Sequence, residues 1–187
     1  MTSSLPFREP VPTTTTVAPI DRRAACEQLR RSLRYQCLEQ ANNRQFDGRL
    51  AAANIKILLG IEFPSIAFDV ERLHAGAVEV RWIDGPTEAP VRGLVARFQR
   101  DPFRNSDDPW PHVFGGAMFV MCHRRYSEAF LARVIDEVFA RYSRALADIE
   151  KPTPEAFFSG RLFGVTVPDQ REDLHALVDL HASMTSE

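Results

Sequence analysis

The sequence has 187 residues, a mass of 21.2 kDa and a formal net charge of −2. Hydrophobic residues make up 44% and charged residues 26%, the composition of a soluble globular protein that can bury a core without metals or disulfides. The near balance of 23 basic and 25 acidic residues argues against a dedicated nucleic-acid-binding domain. No apolar run approaches the roughly 18 residues that a membrane helix needs, so we expect no spanning segment.

The cysteines indicate the redox compartment. Cys26, Cys37 and Cys122 are odd in number and lack metal-binding spacings, and the N-terminus lacks a basic-then-apolar signal pattern. These features favour a reducing compartment, so we expect the protein to be cytoplasmic.

The first third of the chain is predicted to hold a tail and two helices. Residues 1–20 contain four prolines and a run of four threonines, which is typical of an extended tail. Asp21 can cap a helix that we expect to run to about Gln40. A second helix is expected from about Arg49 to Gly60, with apolar residues at helical spacing.

The middle of the chain predicts a small sheet. Apolar and polar residues alternate over 66–70 and over 78–83, and the short glycine-containing loop between these segments indicates an antiparallel hairpin. A helix capped by Thr87 follows, then a loop over 100–114 and a third strand over 116–124.

The C-terminal part is predicted to be mainly helical. Ser127 can cap a helix with a wide apolar stripe, and residues 155–167 suggest a short extended segment after two prolines. Asp169 with Glu172 resembles a capping box before a last helix, in which Leu174, Leu177 and Val178 share a face.

These elements define the predicted fold class. We expect an α+β fold, with a small antiparallel three-stranded sheet packed with helices in the order α-α-β-β-α-β-α and a C-terminal helix after them. The predicted organisation is a tail over 1–20, a single domain over 21–150 and a C-terminal appendix over 151–187.

A family resemblance rests on several short stretches, of which the Arg81-Trp82-x-Asp84-Gly85-Pro86-Thr87 run is the most specific. The others are Asn54 to Lys56, Phe63 to Val70, Val78 to Val80, Val91, Phe98, Phe103, Asp107-Asp108, Phe114 to Ala117 and Arg124. Over about residues 52–142 the chain resembles class 29 of the large polyvalent protein-associated domains of phages and conjugative elements. The family usually has an aromatic-Asp-Gly element in its long loop, and the corresponding residues 102–107 here contain no glycine.

The resemblance implies a protein of a mobile genetic element, phage or plasmid, that is expressed on entry into a new host. Its members are thought to establish the element or to counter host defence. It assigns no catalytic residues. A nearly stand-alone version of the domain suggests an inhibitor of a host defence complex, similar to an anti-CRISPR protein.

The usual signatures of catalysis, metals and nucleotides are weak in this sequence. Cys122 and His123 are neighbours on a predicted strand and point to opposite faces, so they form no dyad. His175 and Asp179 could meet on the last helix, but the common metal-binding spacings are absent. Gly115-Gly116 precedes a strand, whereas phosphate-binding loops precede a helix. We therefore expect no metal, no cofactor and no small-molecule substrate.

One group of loop residues is a candidate polar site. Asp84, Asp107, Asp108 and His112 come from loops that could meet at one end of the sheet, and an enzyme centred on them is one alternative function. Asp84 would more readily cap its own turn, and Asp107-Asp108-Pro109 is typical of a turn. We therefore expect a protein without enzymatic activity.

Two charged surfaces are candidate partner-binding sites. On the first helix Arg23, Arg30 and Arg34 would share a face that could contact phosphates or an acidic protein surface. On the second strand Glu79 and Arg81 alternate with Trp82 and would lie on the open face of the sheet, either as a partner surface or as a solvated ion pair.

The function expected from these observations is inhibition of a host defence complex by protein–protein contact. The contact residues would be Arg23, Arg30, Arg34, Glu79 and Arg81, and the site of action the cytoplasm of a bacterial host, with no membrane partner. An alternative is a nucleic-acid-binding accessory protein for conjugation or phage entry, which would use the first helix and bind more weakly as salt rises.

Overall fold

The computed structural model describes residues 21–41, 48–100 and 108–186. In these ranges the chain forms seven α-helices and three β-strands. The helices are α1 (Arg22–Arg30), α2 (Arg49–Glu62), α3 (Glu88–Val95), α4 (Trp110–Phe114), α5 (Glu128–Arg141), α6 (Pro154–Phe158) and α7 (Leu174–Met184). The strands are β1 (Asp69–Arg72), β2 (Val78–Ile83) and β3 (Val120–Arg125). The predicted tail over 1–20, and Asp107 of the candidate polar site, lie outside the described ranges.

The three strands form one mixed sheet in the order β1-β2-β3. β1 runs antiparallel to β2 with Asp69 opposite Arg81, whereas β3 runs parallel to β2 with Val120 opposite Val78. The α+β class and the hairpin are confirmed, but the expectation of an entirely antiparallel sheet is wrong. The chain between β2 and β3 contains α3 and α4, and a connection of this length can cross over and return in the same direction.

Helices cover one face of this sheet. α2 packs against β1, and α3 packs against β3. The side chains of Val78, Val80 and Trp82 are buried in the core between these layers. Glu79 and Arg81 alternate with them and therefore lie on the opposite face, as the sequence pattern predicts.

Two strands begin later than the sequence pattern suggests. β1 begins at Asp69, because Ile66 closes a turn by donating its N–H to the carbonyl of Phe63 at 3.1 Å. β3 begins at Val120, because Ala117 forms an isolated parallel bridge with Gln99 before the strand joins β2.

The first helix is shorter than predicted. α1 ends at Arg30, Ser32 is extended, and a 3₁₀ turn over Leu33–Tyr35 follows. Tertiary contacts explain this end: the Gln40 side chain donates to the carbonyl of Arg30 at 3.0 Å, and Leu38 enters the core. A helix continued to Gln40 would not let the chain fold back in this way.

The predicted loop over 100–114 contains a short helix in its described part. Asp108 Oδ1 accepts a hydrogen bond from the N–H of Trp110 at 2.9 Å and so closes the turn that starts α4. Trp110 is buried among aromatic rings, with the ring centroids of Tyr35, Phe98 and Phe114 at 4.8, 5.5 and 4.7 Å. Burial of these rings stabilises a helix that the proline-rich sequence does not predict.

The C-terminal helices share a second apolar core. Ser127 Oγ accepts from the N–H of Phe130 at 3.1 Å, so the predicted cap of α5 is confirmed. α5 packs against both α6 and α7. The buried residues include Phe130, Leu131, Val134, Ile135 and Val138 of α5, Phe157 of α6, and Leu174, Leu177 and Val178 of α7.

Two details of this C-terminal region differ from expectation. The segment over 155–167 begins with α6 rather than with extended chain, because Thr153 caps that helix by accepting from the N–H of Ala156. The expected capping box is also wrong. Asp173 caps α7 by accepting from the N–H of Ala176 at 2.8 Å, whereas Asp169 lies in the preceding turn with φ of 63°.

Candidate partner-binding surfaces

A cleft of about 850 Å³ between α1 and α4 is lined by four arginines and a histidine. Arg22, Arg23 and Arg30 of α1 line one side, and Arg100 and His112 line the other. We call it the basic cleft. It is not uniformly positive, because Asp21 and Glu27 belong to the same lining.

Local bonding explains how α1 presents these arginines. Asp21 caps the helix by accepting from the N–H groups of Arg23 and Ala24 at 3.0 and 3.4 Å. The thiol of Cys26 donates to the carbonyl of Pro109 at 3.9 Å, which ties α1 to the start of α4. Arg23 is 90% exposed and lies 3.6 Å from Glu27, a distance at which an exposed pair adds little to stability.

The structure separates Arg34 from the other two predicted arginines. Arg34 lies on the 3₁₀ turn after α1, where its guanidinium sits 5.6 Å from the centre of the Tyr35 ring. It does not line the basic cleft, whereas Arg23 and Arg30 do. The expectation of one helical face shared by all three arginines is therefore wrong, because α1 ends at Arg30.

The predicted ion pair on the open sheet face is present and larger than expected. The Arg81 guanidinium donates to Asp69 at 3.0 Å through Nε, to Glu71 at 2.9 Å through Nη2 and to Glu79 at 3.0 Å through Nη1. Hydrogen bonds to Asp69 and then Glu71 raise the pKa of Arg81 above its ordinary value. His123 Nε2 lies 3.6 Å from Glu79 on the same face. The side chains of Arg81 and Glu79 are thus already paired with each other and with neighbouring residues of the sheet face.

The described residues of the candidate polar site lie at different elements. Asp84 lies after the end of β2, where its Oδ1 accepts from the N–H of Ser127 at 2.8 Å and so supports the start of α5 rather than its own turn. Asp108 closes the turn before α4, and His112 lies on α4 at the basic cleft. The side chain of Asp84 therefore supports the start of α5, whereas Asp108 and His112 belong to α4 and the turn before it.

The most specific part of the family resemblance forms a structural junction around Arg124. The Arg124 guanidinium donates to the carbonyls of Asp84 and Gly85, at 3.0 and 2.9 Å, in the turn after β2. It also donates to the carbonyls of Ala182 and Thr185, at 2.9 and 2.8 Å, at the end of α7. One side chain therefore links the sheet to the C-terminal helix.

The glycine of this turn is required by its backbone. Gly85 has φ of 64°, and a Cβ there would lie 2.7 Å from the Ile66 side chain. Trp82 Nε1 donates to the carbonyl of Pro86 at 2.9 Å and fixes the turn from the core side. The Trp-x-Asp-Gly-Pro stretch is explained by packing and hydrogen bonding.

The cysteine and histidine residues considered for catalysis or metal binding are accounted for by packing. Cys122 is buried, as predicted, and burial raises the pKa of its thiol, while its neighbour His123 is exposed on the other face. His175 is stacked between Phe157 and Phe163, with ring centroids at 4.3 and 3.8 Å. Within the described ranges, the three cysteines are free and no group of three His, Cys, Asp or Glu residues could hold a metal ion.

Two residues of the basic cleft were missed by the sequence reasoning as partners of α1. Arg100 and His112 come from a segment roughly 70 to 90 residues further along the chain, and no local periodicity connects them with α1. The N–H of Arg100 donates to the carbonyl of Ala117 at 2.8 Å, which fixes that end of the cleft.

Comparison with known families confirms the resemblance. The model of the family described as large polyvalent protein associated domain 29 matches residues 46–127, a little under half of the chain. The match spans α2, the whole sheet, and Arg124 with the turn after β2, and it associates the chain with phages and other mobile elements. Comparison with curated proteins and with solved structures finds no match. None of the helices in the described ranges is long and apolar enough to cross a membrane.

Proposed function

We propose that this protein is a non-enzymatic accessory protein of a mobile genetic element that inhibits a host defence complex, in the manner of an anti-CRISPR protein. It acts in the cytoplasm of a bacterial host and binds one protein of the complex through the basic cleft. The observation that carries the proposal is the convergence of Arg22, Arg23 and Arg30 with Arg100 and His112 in one cleft. Arg100 and His112 lie within residues 46–127, which a mobile-element family matches, and α1 precedes that segment.

The mixture of charges in the cleft favours a protein partner. Asp21 and Glu27 lie among the arginines and reduce the positive potential that would attract a polyphosphate backbone, which is negative at every repeat. A protein surface that carries acids opposite the arginines and a base opposite Glu27 would satisfy both signs. Complementarity of this kind gives specificity and faster association. The whole chain is also slightly acidic, with a net charge of −2.

The arginines of α1 suit such an interface. A guanidinium offers five N–H donors in a planar fork and pairs with carboxylates in two parallel hydrogen bonds. Arg23 is 90% exposed, so its guanidinium can exchange water for a partner carboxylate with little disturbance of the fold. The hydrogen bonds of Asp21 and Cys26 fix the position of α1 and therefore of the arginines that it carries.

An interference assay tests the proposal. Bacteria with an active CRISPR–Cas system are transformed with a targeted plasmid, with and without expression of the protein. We expect the wild type to restore transformation and the Arg23→Glu/Arg30→Glu variant to lose at least about tenfold of that effect, because two charge-assisted contacts become repulsive.

The matched control is Arg144→Glu/Arg171→Glu, which makes the same change in net charge at exposed arginines of the C-terminal region. This control should inhibit as well as the wild type. Inhibition that is equal in the wild type and in the Arg23→Glu/Arg30→Glu variant would contradict the role of the basic cleft. A wild type without effect on the defence systems tested would contradict the proposed inhibition of those systems.

A second candidate function is that of a nucleic-acid-binding accessory protein, favoured by the number of cationic side chains in the same cleft. It predicts binding of a fluorescent single- or double-stranded DNA whose affinity falls steeply with salt. Anisotropy measured between about 50 and 200 mM salt distinguishes the candidates, since the inhibitor needs no such binding.

A further inference from the structure

A second cleft lies at the far end of the sheet and has a different character. It has a volume of about 320 Å³ and lies between the loop before β1 and the ends of β2 and β3. Ile66, Ala67, Trp82 and Ile83 contribute apolar surface to it. We call it the sheet-end cleft. Ile83 exposes 61% of its surface, which is unusual for a large aliphatic residue on the central strand of a sheet.

The charged residues at this cleft differ in whether they are already paired. Arg81 is held by three carboxylates of its own sheet, including Asp69, which also lines the cleft. Arg125 is exposed, and within the described ranges its side chain has no hydrogen bond, ion pair or ring contact. Arg125 therefore supplies the positive charge that this cleft can offer to a ligand.

The register of the sheet places this charge beside the apolar surface. Ile83 and Arg125 are directly opposite each other in the parallel pairing of β2 and β3, so both side chains lie on the same open face. Asp69 lies on the other edge strand, opposite Arg81. From β1 to β3 the cleft thus presents a carboxylate already paired with Arg81, an exposed isoleucine, and a guanidinium for which the described part of the chain supplies no partner.

The cleft is shallow, which decides between kinds of ligand. Ile83 is 61% exposed and the Asp69 side chain 64%, so a free small molecule would remain largely in water. Small-molecule sites usually enclose most of their ligand. An open cleft instead suits one or two side chains of a larger partner, whose remaining contacts lie outside it.

We propose that the sheet-end cleft binds a peptide segment of a protein partner in which an apolar side chain is followed or preceded closely by a carboxylate. The apolar side chain packs on Ile66 and Ile83, and the carboxylate pairs with Arg125. This surface is separate from the basic cleft, so the inference goes beyond the proposed function and does not depend on it.

Peptide selection on the purified full-length protein tests this inference. A phage-displayed library of random 12-residue peptides is selected against the wild type and, in parallel, against Arg125→Glu. We expect wild-type peptides enriched in an apolar residue next to Asp or Glu, and enrichment of Lys or Arg at that place with the variant, because the charge at the cleft is reversed.

Fluorescence polarisation with one selected peptide then measures the two contacts. Arg125→Gln and Ile83→Ser should each weaken binding about tenfold or more, since the first removes a charge-assisted pair and the second an apolar contact. Arg144→Glu is the control and should leave affinity unchanged. Circular dichroism confirms that each variant is folded.

Three results would overturn the inference. They are a selection without a consensus, wild-type peptides without an acidic residue, and the same consensus for the wild type and for Arg125→Glu. None of these would affect the interference assay, which depends on Arg23 and Arg30, so failure here and failure of the proposed function are distinguishable.

Discussion

Asn54 is the buried polar residue on which three segments of the first core depend. It has no exposed surface, and its amide oxygen accepts from the N–H of Glu39 at 2.8 Å. Its amide nitrogen donates to the carbonyls of Glu39 and Phe114, both at 2.8 Å. One side chain of α2 thereby satisfies backbone groups of the segment after α1 and of the end of α4.

We predict that Asn54→Ala destabilises the protein by about 3 kcal/mol, since three hydrogen bonds are lost and their buried partners stay unpaired. The free energy of unfolding in urea, followed by circular dichroism, measures this loss. Gln28→Ala on the exposed side of α1 is the control and should change stability by less than about 0.5 kcal/mol. Equal stabilities of the two variants would refute the role assigned to Asn54.

Asp173 predicts a dependence of stability on pH. Backbone N–H groups of Gly164 and Ala176 donate to its two oxygens at 2.9 and 2.8 Å and hold its pKa below the ordinary value of 3.8. A carboxylate whose pKa is lower in the folded state stabilises that state above the ordinary pKa. The stabilisation is lost as the pH falls through the folded value.

We therefore expect Asp173→Asn to be less stable than the wild type above about pH 5, because asparagine keeps the acceptor for Ala176 but loses the acceptor for Gly164. The difference should shrink as the pH falls to about 2. Urea unfolding across this range is the measurement. Glu172→Gln, at the neighbouring exposed acid, should follow the wild type at every pH. A difference for Asp173→Asn that does not vary with pH would contradict the argument.

At the scale of elements, Arg124 connects β3 with two structures distant in sequence. Its four hydrogen bonds reach the turn after β2 and the last carbonyls of α7, and its guanidinium lies 4.8 Å from the centre of the Phe130 ring. The end of α7 carries partial negative charge on its carbonyls, which a guanidinium stabilises. β3 thereby holds the C-terminal helix in place.

We predict that Arg124→Ala lowers the free energy of unfolding by about 2 to 4 kcal/mol. Amide hydrogen exchange in the last turn of α7 should also become faster, since that turn loses its anchor. Arg124→Lys should recover only part of the loss, because a single ammonium group cannot donate to four carbonyls in two directions. Arg144→Ala is the exposed control. Unchanged exchange at α7 in Arg124→Ala would show that other contacts hold the helix.

The elements that the sequence predicts well are those set by local pattern. β2 alternates strictly, and α5 has both a serine cap and a wide apolar stripe, so neither depends on a distant partner. The predicted direction of β3 and the predicted end of α1 were wrong, because tertiary structure sets both. β3 follows a long crossover connection. α1 ends at Arg30, so that the chain after it can place Leu38 in the core.

The same distinction applies to the candidate sites. Arg23 and Arg30 could be grouped from the sequence because they lie seven residues apart on one helix. Arg100 and His112 join them only through the tertiary fold. His112 is on α4, which packs on α1, and the N–H of Arg100 is bonded to the carbonyl of Ala117. Arg125 could not be selected at all, because its significance lies in the lack of a described partner beside the exposed Ile83.

At the scale of the whole molecule, the described chain has two apolar cores. The first lies between the sheet and helices α2 to α4, and the second lies among α5, α6 and α7. The family match ends at residue 127, where α5 is about to begin. The matched segment thus supplies most of the first core, together with Arg124 and the turn after β2, whereas Leu38 of that core lies before it. The C-terminal helices add the second core and the carbonyls of Ala182 and Thr185 at the junction. The expected domain boundary near residue 150 stays a prediction.

The two clefts divide the surface by chemistry. The basic cleft combines several cations with two acids, Asp21 and Glu27, on the α1 side. The sheet-end cleft combines apolar surface with the paired charges of Asp69 and Arg81 and with Arg125. A protein partner could meet both kinds of surface with acidic residues, and the two are tested by separate variants.

The proposed function requires that the basic cleft binds a protein of a host defence complex. The most direct measurement is size-exclusion chromatography with light scattering on a purified, nuclease-treated defence complex mixed with the wild-type protein or with Arg23→Glu/Arg30→Glu. We predict that the wild type elutes with the complex at a fixed stoichiometry and that the charge-reversed variant elutes alone. Absence of co-elution with the nuclease-treated complex, or co-elution that is equal for the wild type and the variant, would contradict that requirement.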